Sequence, residues 1–131
     1  MKVPQEVFDE LLAHAREEAP NECCGLIGGN DGVAKTVYRA RNAEASPLRY
    51  NLDPQDQFRI MTEMDEHGEE LSAIYHSHTA SPAYPSQTDI NIAAYPHWLY
   101  LIVSLQGDEP EVRAWRIADG KVDEEEIVVD G

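Results

Sequence analysis

Two of the five histidines, His76 and His78, stand two positions apart in "AIYHSHTASPAYPSQTDI", residues 73–90, and Ser86 and Asp89 follow them. In a strand alternate side chains share a face, so the two imidazoles point one way and Ser77 the other. Converging imidazoles suit zinc, which holds nitrogen at about 2.0–2.1 Å and, in catalytic sites, takes three protein ligands and leaves a fourth position to water. Asp89 is the candidate third ligand, because the loop 79–85 is long enough to double back and a helix starting near Ser86 aims its first turn at the strand end. Ser86-Gln87-Thr88-Asp89 is also a capping-box pattern, with Ser86 as N-cap and Asp89 at N3. The two readings are compatible, since a capped helix can fix a carboxylate that binds metal. Hydrolysis needs a base, and Glu22, opening the glycine-rich "ECCGLIGG", could lie beside the metal.

The surrounding pattern says what would position these groups. Val7, Leu11 and Ala15, flanked by Phe8 and Leu12, form the stripe of a helix over 4–18, with Pro4 in its first turn and Pro20 past its end. "CCGLIGG" and "VAKTVYRA" read as two strands joined by the turn Gly29-Asn30-Asp31-Gly32. After an irregular stretch at 41–52, Asp53 as N-cap and Pro54 at the first position open a second helix, with Phe58, Met61 and Met64 turned inward and Gly68 stopping it. "LSAIYHSH" reads as a strand, "SQTDINIAAY" as a short helix, "WLYLIVSL" as a buried central strand, and "EVRAWRIA" and "EEEIVV" as two more strands. This order predicts an α/β or α+β chain, one mixed β-sheet flanked by helices, with residues 1–131 forming a single domain.

Composition narrows the partners. At 131 residues, with 42% hydrophobic and 27% charged content, the chain can bury one core without staples. Its net charge of −15, from 10 basic and 25 acidic residues, repels phosphate backbones and anionic membrane surfaces, which argues against nucleic acid or a membrane as partner. The acidic run Asp123 to Glu126 reads as a solvated sheet edge. No apolar run is long enough to span a bilayer and the start reads as an acidic amphipathic helix, so the expected location is the cytoplasm. Cys23 and Cys24 are adjacent and form no disulfide framework, which agrees with a reducing compartment.

Glu22, then His76-x-His78, seven residues, Ser86, two residues and Asp89, resembles the motif of the JAMM (MPN-plus) zinc metallopeptidases at every position. "ECCG" matches the Glu-x-x-Gly of the short bacterial members, and the element order is similar over nearly the whole chain. The resemblance implies a cytidine-deaminase-like layering of sheet and helices. It also implies one Zn2+ held by His76, His78 and Asp89, with Glu22 as general acid/base and Ser86 supporting the oxyanion. Such enzymes cut after the C-terminal glycines of ubiquitin-like proteins. This chain lacks room for the insertions that clamp ubiquitin in eukaryotic deubiquitinases, and "YHSHTASPAYPSQTD" most resembles bacterial enzymes that release cysteine from a ubiquitin-like sulfur-carrier protein during cysteine biosynthesis. A narrow site suits a tail ending in two glycines.

Other readings compete with this one. A thiol hydrolase would use Cys23 or Cys24 with a histidine base. A non-catalytic interaction scaffold of the same fold would lack ligands, and a peptidase could act on another ubiquitin-like conjugate. A zinc nucleoside deaminase would need His-x-Glu with Pro-Cys-x-x-Cys, and the chain has neither. His14, His67 and His97 read as helix-surface or loop residues. Tyr84 and Pro85 shape the loop before Ser86 and are candidates to line a groove. Asn42 and a lid role for 42–52 stay open.

Overall fold

Alternation along the strands sends apolar side chains to both faces of the sheet, so both faces must be covered. The computed structural model, which describes residues 1–93 and 97–130, covers each with a helix. The elements are β1 (Lys2–Pro4), α1 (Gln5–Glu18), β2 (Cys24–Asn30), β3 (Val33–Ala40), α2 (Pro54–Glu66), β4 (Glu70–His78), α3 (Gln87–Ile92), β5 (Leu99–Ser104), β6 (Glu111–Ala118), β7 (Lys121–Glu125) and β8 (Val128–Asp130). The eight strands form one mixed sheet in the order β7-β6-β5-β4-β2-β3-β1-β8.

Val7, Leu11, Leu12 and Ala15 of α1 pack on Ile27, Ala73, Tyr75, Leu101 and Val103 of one sheet face. Ile60 and Met64 of α2 pack with Leu26, Ile74, Tyr100 and Ile102 on the other. His76 and His78, in phase with Ile74, therefore face the α2 side, and Ser77, in phase with Tyr75, the α1 side. β2 runs antiparallel to β4 with Cys24 opposite His76, and β5 runs parallel to β4, so α3 lies in the connection between parallel neighbours. Ligand sites of open α/β sheets gather at the carboxyl ends of such strands, and both histidines sit at that end of β4.

Several expectations shift. The first helix starts at Gln5, because Lys2–Pro4 leaves as a strand parallel to β3 and β8. "EEEIVV" is divided between the end of β7 and β8. Met64 is buried as expected, but Phe58 is 77% exposed and Met61 is exposed. The inward stripe of α2 is Asp56, Ile60 and Met64, an i, i+4, i+8 row, and Asp56 is pulled in by the Arg41 backbone N–H and guanidinium. Of the predicted short helix, Gln87–Ile92 is helical, while Ala94 and Tyr95 lie outside the described residues. The acidic run does sit at the sheet edge, where Glu124 and Glu125 pair with Arg113 and Arg116 of β6.

His14 is the clearest correction among the histidines. It is buried on α1, and its Nδ1 lies 2.7 Å from the Tyr75 hydroxyl. Burial lowers its pKa, so the imidazole is held neutral. Gly25 makes this contact possible: a Cβ there would stand 2.5 Å from the Tyr75 ring and hydroxyl and from the Tyr38 carbonyl oxygen. Gly25→Ala is expected to displace Tyr75 and cost about 1–3 kcal/mol, read as a lower urea midpoint at unchanged m-value. A midpoint equal to wild type would show that the sheet absorbs the methyl freely.

Candidate functional site

The capping box closes the site. Ser86 Oγ accepts from the Asp89 backbone N–H at 3.0 Å, and Asp89 Oδ2 accepts from the Ser86 N–H at 3.0 Å. Cap and carboxylate thereby become one rigid unit, and Oδ2 is delivered to the end of β4, 3.1 Å from His76 Nε2 and 2.9 Å from His78 Nε2. The two Nε2 atoms lie 3.2 Å apart. Among the described residues this is the one cluster of His, Cys, Asp or Glu compact enough to hold a metal ion, and all three residues are buried.

The donor set fits such an ion. One proton can satisfy only one pair among three converging acceptors, whereas a cation satisfies all three. Metal–ligand bonds of about 2.0–2.1 Å in a tetrahedron put donors about 3.3 Å apart, close to these separations. The imidazoles are also oriented from behind. His78 Nδ1 donates to the Pro82 carbonyl at 2.8 Å, which turns the Nε2 lone pair toward the centre. Tyr50, from the irregular 42–52 stretch, stacks on His76 with centroids 4.2 Å apart and planes 20° from parallel. The loop between the strand and α3 is pinned by Trp115 Nε1, which donates to the Ala83 carbonyl, and by the Ser104 hydroxyl, which donates to that of Ser81.

Glu22 completes the set. It lies two residues before β2, and with His78, Ser86, Pro47, Leu48, Ala80 and Ser81 it lines a cavity of about 130 Å³. Its Oε1 is buried and makes no hydrogen bond. Its backbone is clasped by the 42–52 stretch: the Glu22 N–H donates to the Ser46 carbonyl, and Asn42 Nδ2 donates to the Glu22 carbonyl. Asn42 Oδ1 also accepts from the Glu44 and Asn51 N–H groups. Asn42 is therefore the knot of this stretch, and the stretch walls the cavity through Pro47 and Leu48. Tyr84 and Pro85 do not line it. Tyr84 packs edge-on against Trp115, and Pro85 is buried.

With this geometry in place, the relatives of the chain become informative. Residues 4–118 match the family model described as prokaryotic homologs of the JAB domain. The chain belongs to that family. It is 39% identical over 127 residues to the CysO-cysteine peptidase of Mycobacterium tuberculosis, covering 95% of this chain and 87% of that protein. It is 39% identical over 107 residues to the desampylase of Haloferax volcanii, covering 76% of each. A solution structure of a Desulfitobacterium hafniense protein superposes with a TM-score of 0.91 at 38% identity over 99% of this chain and 93% of that one. A JAB1/MPN domain protein from Archaeoglobus fulgidus shares the fold, with a TM-score of 0.67 at 20% identity over 98% of each chain.

Charges in this JAB-family site are set by burial and mutual contact. Burial pushes the Glu22 carboxyl up to about 7, with the Asp89 charge adding to the rise and His78 opposing it. Burial works against the Asp89 carboxylate too, but hydrogen bonds to His76 and His78 outweigh it and hold that group far below the usual range. His76 is kept neutral by burial. His78 is made more basic, because contacts with Asp89 and Pro82 outweigh its own burial. The cysteines offer no nucleophile. They face opposite sides of the sheet, and burial pushes their thiols up to about 11 and about 12.

The position of Glu22 carries a stability cost with a definite sign. Its folded pKa of about 7 exceeds the ordinary 4.5, so the fold is penalised increasingly as pH rises from 4.5 to 7 and fully above 7. In metal-free protein, Glu22→Gln is expected to be more stable than wild type by about 1–3 kcal/mol at high pH and equal to it in acid. Urea unfolding of both proteins at acid and alkaline pH checks this, and a gap independent of pH would contradict the buried ionisation.

Proposed function

We propose that this protein is a zinc-dependent hydrolase of the JAMM type that cleaves after the C-terminal Gly-Gly of a small ubiquitin-like sulfur-carrier protein and releases cysteine for its biosynthesis. The observation that carries the reading is the convergence of His76 Nε2, His78 Nε2 and Asp89 Oδ2 within 3.2 Å of one another, with the Glu22 carboxylate and Ser86 on one adjoining cavity. Similarity to a CysO-cysteine peptidase and a desampylase supports the substrate class, as does 36% identity over 120 residues to the probable TtuB-protein conjugate cleaving protease of Thermus thermophilus, covering 91% of this chain and 77% of that protein. We place the reaction in the cytoplasm and assign residues 1–131 to one domain. Two buried free thiols support the first reading, and a single sheet through all described strands the second.

In this reading His76, His78 and Asp89 hold one Zn2+, which when bound lowers the pKa of a coordinated water to about 7 and polarises the scissile carbonyl. Glu22 takes a proton from the attacking water and returns it to the nitrogen of the leaving cysteine. Burial raises this carboxyl above the usual carboxylate range in the metal-free protein, the direction that favours returning the proton it accepts. Ser86 uses a lone pair for the cap, so its hydroxyl proton is free to donate to the developing oxyanion. Pro47, Leu48 and Ala80 crowd the cavity walls, which suits backbone without side chains.

Incubation with a carrier bearing a C-terminal cysteine adduct should liberate free cysteine, detected by mass. Chelation should abolish release, zinc should restore it, and thiol alkylation should leave it intact. Release only from a lysine isopeptide would reassign the substrate to another ubiquitin-like conjugate, and no turnover of either substrate with zinc bound would favour a scaffold. Glu22→Gln is expected to retain zinc by elemental analysis and to lose roughly 10²–10⁴-fold in kcat. Ser86→Ala should lose about 2.7–4 kcal/mol of transition-state stabilisation, leaving a slow enzyme measurable in long incubations. Full activity in either variant removes that residue from the mechanism.

A further inference from the structure

Ser77 stands between the two histidines yet faces the other side of the sheet, fully buried. The β2–β4 ladder has its last paired rung at Cys24 and His76. One residue further, the Ser77 N–H donates to the Cys23 carbonyl at 3.1 Å, but the Cys23 N–H donates at 2.8 Å to the Ser77 hydroxyl oxygen. A side chain replaces backbone at this rung. It therefore sets where β2 leaves the sheet, and the next residue along that departing backbone is Glu22.

We propose that Ser77 is a positioning residue, whose hydroxyl anchors the Cys23 amide and so holds the Glu22 carboxylate at its working distance from the histidine pair. The inference rests on the hydrolase reading above and extends it to a residue outside the cavity. Glu22 has two other backbone tethers, to Ser46 and Asn42, but both belong to the 42–52 stretch. The Ser77 pair is the tether that ties residues 22–23 directly to the strand carrying His76 and His78. Removing the hydroxyl leaves the ladder to Cys24, the Ser77 N–H to Cys23 carbonyl bond and the candidate ligands in place, and frees the Cys23 amide in the segment that brings the base. A misplacement of about 1 Å at a reacting group costs on the order of 10²-fold in rate.

The test compares wild type, Ser77→Ala and Ser77→Thr by four readouts. Ser77→Ala is expected to bind zinc within about two-fold of wild type, in competition with a chromophoric chelator, and to keep KM within about two-fold. Its kcat should fall roughly 10- to 100-fold, and its Cys23 amide should exchange hydrogen at least about ten-fold faster. Ser77→Thr keeps the hydroxyl and should restore kcat to within about three-fold. Wild-type kcat in Ser77→Ala overturns the proposal, as does loss of zinc in proportion to activity, or a Ser77→Thr protein as stable as wild type and as slow as the alanine variant. Should Ala at this position fail to fold, Ser77→Cys, of similar shape and weaker as an acceptor, takes its place. Should wild type cut no carrier conjugate, the substrate reading fails separately, and Cys23 exchange alone decides: faster in Ser77→Ala supports the anchor, unchanged overturns it.

Discussion

Two imidazole nitrogens and a carboxylate oxygen, each an acceptor in its neutral or ionised form, are forced within 3.2 Å of one another in a buried place. Left to themselves such groups would separate or share protons, because desolvation makes unpaired polar atoms costly. What forces them together is backbone: the period-two alternation of β4 aligns the histidines, and the capping box of α3 leaves Asp89 Oδ2 no other direction. The anchors behind them serve this convergence, from the Pro82 carbonyl on His78 and the Tyr50 ring on His76 to Trp115 and Ser104 holding the intervening loop.

Glu22 depends on the same frame in a different way. It carries no role in the sheet ladder and is held by backbone tethers on either side, so its carboxylate pays for burial without a hydrogen bond to Oε1. The α1 face, by contrast, holds apolar side chains with its buried polar groups paired, His14 with Tyr75 and the Ser77 hydroxyl with the Cys23 N–H. The α2 face has an apolar core of its own around Leu26, Ile60, Ile74 and Ile102, and the polar cluster sits at the end of β4 on that face. Burial of the Glu22 carboxyl raises its pKa above the usual carboxylate range.

Much of the site was legible in the chain because its rules are local. Strand alternation placed His76 and His78 on one face, and the Ser-x-x-Asp spacing placed the cap, since both depend on dihedral periodicity alone. Glu22 was reached through family resemblance, as no local rule connects it to residues 54 and more positions away. Phe58 and Met61 were misread because an i, i+3 row competed with the i, i+4 row of Asp56, Ile60 and Met64, and the Arg41 contact that draws Asp56 inward is tertiary. β1 was hidden because a short parallel strand takes its pairing from distant segments, and for the same reason the break between β7 and β8 inside "EEEIVV" left no local mark. His14 read as surface because nothing near it announces Tyr75.

The sequence by itself determined the two faces of β4, the cap of α3, the acidic edge and the family whose motif these residues match, all set by residue type at short range. Only the tertiary structure decided that Tyr50 covers His76, that Asn42 and Ser46 clasp the Glu22 backbone, and that Ser77 replaces a backbone rung next to it. Those contacts join segments far apart in the chain, and which segments meet is settled by the packing of two helices on one sheet.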